Sequence, residues 1–99
     1  MSEEDGLAMI QQTLDGLHRS GLMKDRVLVQ SSTVLLGTGS PLDSLAFVTF
    51  VADLEDQLNR ETGKELSVVL TEVHDFNEGV TYLSAETMVR YLVQLTNGK

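Results

Sequence analysis

Cysteine is absent from this chain of 99 residues, which removes disulfide frameworks, thiolate zinc sites and cysteine nucleophiles together. Basic residues are few: 7 Lys+Arg stand against 15 Asp+Glu, a formal charge of -8 with both histidines neutral. Such a surface repels nucleic acid and anionic membranes and favours partners with basic faces. No apolar run approaches the length of a membrane span, and the opening Met1-Ser2-Glu3-Glu4-Asp5 is acidic where a secretory leader would be basic. The expectation is a soluble, cytoplasmic monomer that binds no nucleic acid and inserts into no membrane. The histidines, His18 and His74, lie in different segments and show neither HExxH nor any other ligand spacing, so no metal site is expected. The length suits one domain over 1–99 rather than two lobes around a cleft, and a hydrophobic content of 41% is enough for a compact core.

What is present is helical periodicity punctuated by glycine. From about Glu3 to Arg19, Leu7, Ile10, Leu14 and Leu17 recur at steps of three and four. Glu3, Glu4 and Asp5 fall in the first turn of that segment and His18 and Arg19 in the last, the arrangement a helix dipole favours. A second helix is expected from Ser44 to about Thr62 with Gly63 as its stop. A third is expected from near Ser84, the N-cap, carrying Met88, Val89, Leu92 and Leu95. One or two helical turns are expected over 71–78, with Val73 and Phe76 facing inward.

Residues 20–42 are long for a connection. Val27-Leu28-Val29 and Val34-Leu35-Leu36 have the composition of short strands, but two such runs with no third partner do not readily complete a sheet. The segment therefore reads as an ordered loop pinned to the core by its apolar residues, a kind of element that is often functional. The expected fold is an all-α, three-to-four-helix bundle with a long loop between its first and second helices.

Catalytic motifs are missing. Ser44 is not in a GxSxG elbow, and no strand precedes it to build one. Gly37-Thr38-Gly39-Ser40-Pro41 lacks the lysine of a phosphate-binding loop and reads as a turn before a helix. Nothing assembles a nucleophile, a base and an oxyanion site. Leu42-Asp43-Ser44-Leu45 has two readings. In one, Asp43 or Ser44 caps the second helix. In the other, a serine hydroxyl exposed at a helix mouth carries a phosphodiester, whose charge the first-turn amides and the dipole stabilise.

Asp43-Ser44-Leu45, followed by an amphipathic helix with Val48, Val51, Leu54, Glu55 and Leu58, resembles the second helix of the acyl carrier protein family. Tyr82-Leu83-Ser84-Ala85-Glu86-Thr87-Met88-Val89-Arg90-Tyr91-Leu92 is similar to that family's last helix, and the likeness in size, acidity and long first loop spans the chain. The resemblance implies that Ser44 carries a covalent 4'-phosphopantetheine, donated from coenzyme A by a phosphopantetheinyl transferase. Its thiol would hold acyl cargo as a thioester, sulfur chemistry that the cysteine-free chain does not supply itself. The chain would then be no enzyme. It would present cargo to acyl-ligase, synthase or transferase enzymes through their basic docking surfaces.

At about 100° per residue, Phe47, Phe50, Val51, Leu54 and Leu58 share the broad face of the second helix expected to line the core or an acyl cavity. Leu45, Val48 and Ala52 lie to one side, ringed by Asp43, Asp53, Glu55 and Asp56. They are either the edge of the core stripe or an apolar docking strip beside Ser44; family members meet partner enzymes through this helix. Two departures bear on the pathway. Pro41-Leu42 replaces the usual Gly-Leu pair, and Thr49 stands where a carrier of primary fatty acid synthesis usually has an acid. A specialised lipid, polyketide or secondary-metabolite pathway fits better. Phe47 and Phe50 are bulky enough to narrow a cavity between the helices and to shelter a long acyl chain poorly. The alternatives are an aminoacyl or peptidyl carrier, an acidic helical adaptor in which Ser44 is only a cap, and a small serine hydrolase, for which no base stands near Ser44 in sequence.

Overall fold

The computed structural model describes residues 2–37, 40, 42–69 and 82–97, with the side chain of Ser44 outside that set. The described residues are mostly helical: three helices and a two-stranded antiparallel sheet in the order α1 (Glu3–Arg19), β1 (Val34–Leu36), α2 (Ser44–Thr62), β2 (Leu83–Ser84) and α3 (Ala85–Thr96). The helical turns expected over 71–78, with Val73, His74 and Phe76, lie outside the described residues.

Each helix is bounded by the residue chemistry at its ends. At the start of α1 the Asp5 amide donates to Ser2 Oγ (3.1 Å), while the Ser2 amide donates to Asp5 Oδ2 (3.2 Å). This reciprocal box satisfies two amides that the helix itself cannot. The buried stripe of α1 is Met9, Ile10, Thr13, Leu14 and Leu17, and α1 packs against both α2 and α3. α2 stops where Gly63 turns left-handed at φ 68°, its amide donating to the Asn59 carbonyl at 2.9 Å. α3 is capped by Ser84, whose Oγ accepts from the Thr87 amide (3.3 Å). The three helices share one buried cluster in which Ile10, Phe50, Leu54, Leu58, Met88 and Leu92 are sealed from solvent. Thr13 is the polar member of the α1 face. Its hydroxyl lies 2.8 Å from both the Met9 carbonyl and Gln57 Oε1, and Gln57 Nε2 donates in turn to Gln12 Oε1. Among the described residues no buried side-chain polar atom lacks a partner.

The long first connection corrects the expectation in one respect. Val34–Leu36 is a strand, not loop, and its partner is Leu83–Ser84 immediately before α3, with Val34 opposite Ser84, Leu36 opposite Leu83 and an irregularity between. The missing partner was remote in sequence and only two residues long, too short to leave an alternating pattern. The same junction fixes the preceding chain: the first two amides of α3, those of Ala85 and Glu86, donate to the carbonyls of Thr33 (2.7 Å) and Ser31 (2.9 Å). Val27-Leu28-Val29 makes no strand. Its backbone is met by one side chain, Gln11, whose Nε2 donates to the Val27 carbonyl (2.7 Å) while its Oε1 accepts from the Val29 amide (2.7 Å). Arg26 closes the attachment by donating to Asp15 (3.1 Å). Asn59 repeats the device after α2, accepting from the Leu66 amide (2.7 Å) and donating to the Leu66 carbonyl (3.0 Å). In both places an amide side chain supplies the donor and acceptor that a neighbouring strand would otherwise give.

Two substitutions test the packing of α1. A Cβ added at Gly6 would stand 2.9 Å from Val89 Cγ1, whereas one at Gly16 meets nothing nearer than the Arg19 guanidinium at 3.8 Å. Alanine gains about 0.5–1 kcal/mol over glycine within a helix, but overpacking against a stiff, buried valine costs about 1–3 kcal/mol. Gly16→Ala is therefore expected to raise the melting temperature. Gly6→Ala is expected to lower it, by roughly 4–8 °C per kcal/mol for a domain of this size. A rise with Gly6→Ala would contradict the close α1–α3 approach.

A second prediction concerns pH. The Arg26 guanidinium, and after it the Gln11 amide, hold the Asp15 carboxyl below its ordinary value. A carboxylate shifted down on folding contributes stability above its unfolded pKa and loses it as the pH falls through the folded one. Urea unfolding should show Asp15→Asn less stable than wild type at neutral pH. The gap should close once the pH falls below the usual aspartate range, and a gap that persists in acid would rule out the charged pair as its source.

Candidate functional site

The residues singled out by the sequence converge on the head of α2. The chain enters it from β1 through Ser40, whose hydroxyl donates to the Leu35 carbonyl (2.7 Å) and accepts from the Leu42 amide (3.0 Å). One hydroxyl thus ties the last part of β1 to the residue two before α2. The sequence marks Ser40 as part of a turn before Pro41, but nothing in its spacing signals these two bonds.

Asp43 is the N-cap of α2. Its Oδ1 accepts from the Ala46 amide at 2.7 Å, and its carbonyl accepts from the Phe47 amide at 2.9 Å. Of the two residues able to cap this helix, the first does so, and Ser44 takes the first helical position, with its side chain outside the described set. A carboxylate at the N-cap also lies at the positive end of the helix dipole, where negative charge is stabilised.

Around this point α2 presents two surfaces. On one, Phe47, Phe50, Val51 and Leu54 are buried, with the rings of Phe47 and Phe50 6.2 Å apart between centroids and inclined at 33°. On the other, Leu45 and Val48 are 65% and 60% exposed, and Ala52 is exposed with them. Leucine and valine this open are not the edge of a core stripe. Thr49, beside them, is uncharged and turns its hydroxyl back to donate to the Leu45 carbonyl (3.0 Å).

The acidic ring divides into separate roles. Asp43 and Asp53 are exposed. Asp56 pairs with Arg60 one turn on, in an exposed contact of the kind that contributes little to stability. Glu55 is half-buried, and its Oε2 accepts from the Val68 amide at 2.8 Å. Its carboxylate anchors the 64–69 segment, alongside Asn59 on Leu66 and the Tyr91 hydroxyl on the Val69 amide (3.2 Å). Glu55 is thus structural in large part, a role that its place between Val48 and Val51 on a helical wheel does not reveal.

Further exposed apolar residues stand on the first connection, Leu28 at 69% and Leu36 at 46%. Leu36 ends β1, the strand that Ser40 links to the α2 entrance. Among the described residues no three His, Asp or Glu side chains are grouped to hold a metal ion, and no helix is long and apolar enough to cross a membrane. Compared with protein-family models, with curated proteins and with solved structures, the chain matches no family, no relative and no structural neighbour.

The division of labour between Asp43 and Ser44 can be measured. Asp43→Ala should cost about 1 kcal/mol of stability through loss of the cap, Asp43→Asn much less. Ser44→Ala should stay within about 0.5 kcal/mol of wild type. Equal losses for Asp43→Ala and Ser44→Ala would return Ser44 to a structural role.

Proposed function

We propose that the chain is an acyl carrier protein: Ser44 is the attachment point of a 4'-phosphopantetheine arm, and the exposed side of α2 meets the enzymes that load and use the cargo. The observation that carries this reading is that Asp43 caps α2, which leaves the serine beside it without that duty, next to exposed Leu45 and Val48. The fit to the group rests on the start of a helix of 19 residues, where the dipole favours a phosphodiester. When bound, the arm supplies a thiol that holds an acyl group as a thioester.

The residues of the chain then position and present, and perform no catalysis. Asp43 holds the helix head in place. Leu45, Val48 and Ala52 give a small apolar contact, and Asp43, Asp53 and Asp56 surround it with charge that a basic partner would meet. Acidic steering raises the rate of encounter, while a small apolar contact keeps each complex brief. A tethered cargo reaches successive active sites at high effective concentration. Acyl-ligase, synthase and transferase enzymes of a specialised lipid, polyketide or secondary-metabolite pathway are the partners this reading assigns; an aminoacyl or peptidyl cargo would use the same attachment. A second reading draws on the same exposed strip: an acidic helical adaptor that binds a basic partner and carries no arm.

Incubation with coenzyme A and a promiscuous phosphopantetheinyl transferase, followed by intact mass measurement, separates the two. The expected outcome is a single adduct on wild type and none on Ser44→Ala. An unmodified wild type would leave the adaptor as the better account.

A further inference from the structure

The carrier reading leaves the cargo unspecified, and the aromatic pair of α2 narrows it. Phe47 follows Ser44 by three residues, which places it about 4.5 Å along the axis and about 60° round towards the core. Phe50 stands three residues farther in the same sense. Phe50 is fully buried and Phe47 is 5% exposed, and the two rings rest against each other at 6.2 Å between centroids. They belong to one buried cluster with Ile10, Leu14, Leu54 and Met88, each no more than 1% exposed. A flexible chain entering the core down this side of α2 would have to displace one or both rings. Close-packed interiors resist that, because side chains held in rotamer wells have no vacant volume to move into.

We infer that the cargo is a short acyl group, without a long alkyl chain, and that it stays outside the helices. This rests on the carrier reading and adds to it the class of substrate. With only a few carbons a thioester has little apolar surface to hide, so exclusion by the packed Phe47 and Phe50 rings costs it little. A long chain would be left in water or pressed onto the exposed Leu45 and Val48, the surface the partner enzymes need.

The test uses the transferase to load wild-type protein with butyryl- or dodecanoyl-4'-phosphopantetheine from the corresponding coenzyme A thioesters, the serine hydroxyl displacing adenosine 3',5'-bisphosphate, and compares the methyl NMR spectra of Ile10, Leu14, Leu54 and Met88. The expected result is that both loaded forms give the core spectrum of the holo protein, and that their thioesters react with hydroxylamine at equal rates. In Phe47→Ala the dodecanoyl form, and not the butyryl form, should shift these methyls. Core shifts in wild type with dodecanoyl alone, accompanied by slower thioester cleavage, would overturn the short-cargo inference and leave the carrier reading standing. Failure of wild type to accept either group would overturn both.

Discussion

The arrangement around α2 depends on where the first two amides of α3 find their acceptors. A helix begins with N–H groups that nothing inside it can satisfy, and here the carbonyls of Thr33 and Ser31 take two of them. With the short pairing of β1 and β2, these bonds join the middle of the first connection to the start of the last helix. The chain that leaves β1 is then gathered by Ser40 and delivered to Asp43. The head of α2, capped locally by Asp43, is therefore tied through Ser40 to a contact between parts of the chain about fifty residues apart.

That dependence explains what the sequence disclosed and what it withheld. Helix limits were legible because their determinants are local: the acidic first turn of α1, Gly63 in a left-handed conformation at the end of α2, Ser84 ahead of α3. The buried side of α2, with Phe50 and Leu54, followed from spacing, which left Leu45 and Val48 open between the edge of the core and an exposed strip until their exposure was seen. The β1–β2 pair was not legible, since a strand of two residues has no periodicity and its partner lies far along the chain. Nor were the backbone attachments of Gln11, Asn59 and Glu55. Each is a polar residue on a helix, indistinguishable by pattern from the solvated residues around it, and its role exists only once the facing segment is in place.

At the candidate site, two neighbouring residues of similar capping ability are told apart by geometry. Asp43 spends its carboxylate on the Ala46 amide, which gives its neighbour's position a different meaning from that of an ordinary cap. The charge of the chain bears on the same point. An excess of eight negative charges acts at a distance and without fixed orientation, whereas Leu45 and Val48 act only on contact. In the proposed carrier, the two together would serve partners that must find the protein quickly and leave it readily. Glu55 and Asp56, engaged with Val68 and Arg60, add to the general field more than to any specific contact.

The two amide attachments also depend on their side chains staying uncharged. Gln11 and Asn59 hold their segments because one planar group offers a donor and an acceptor side by side. Hydrolytic deamidation would convert either into a carboxylate, which can still accept but can no longer donate. The Val27 or Leu66 carbonyl would then face a like partial charge. At Gln11 the new carboxylate would also stand beside that of Asp15 and compete for Arg26. Gln11→Glu or Asn59→Asp would therefore loosen the segment around Val27 or the one around Leu66 first, while the helices keep their shape.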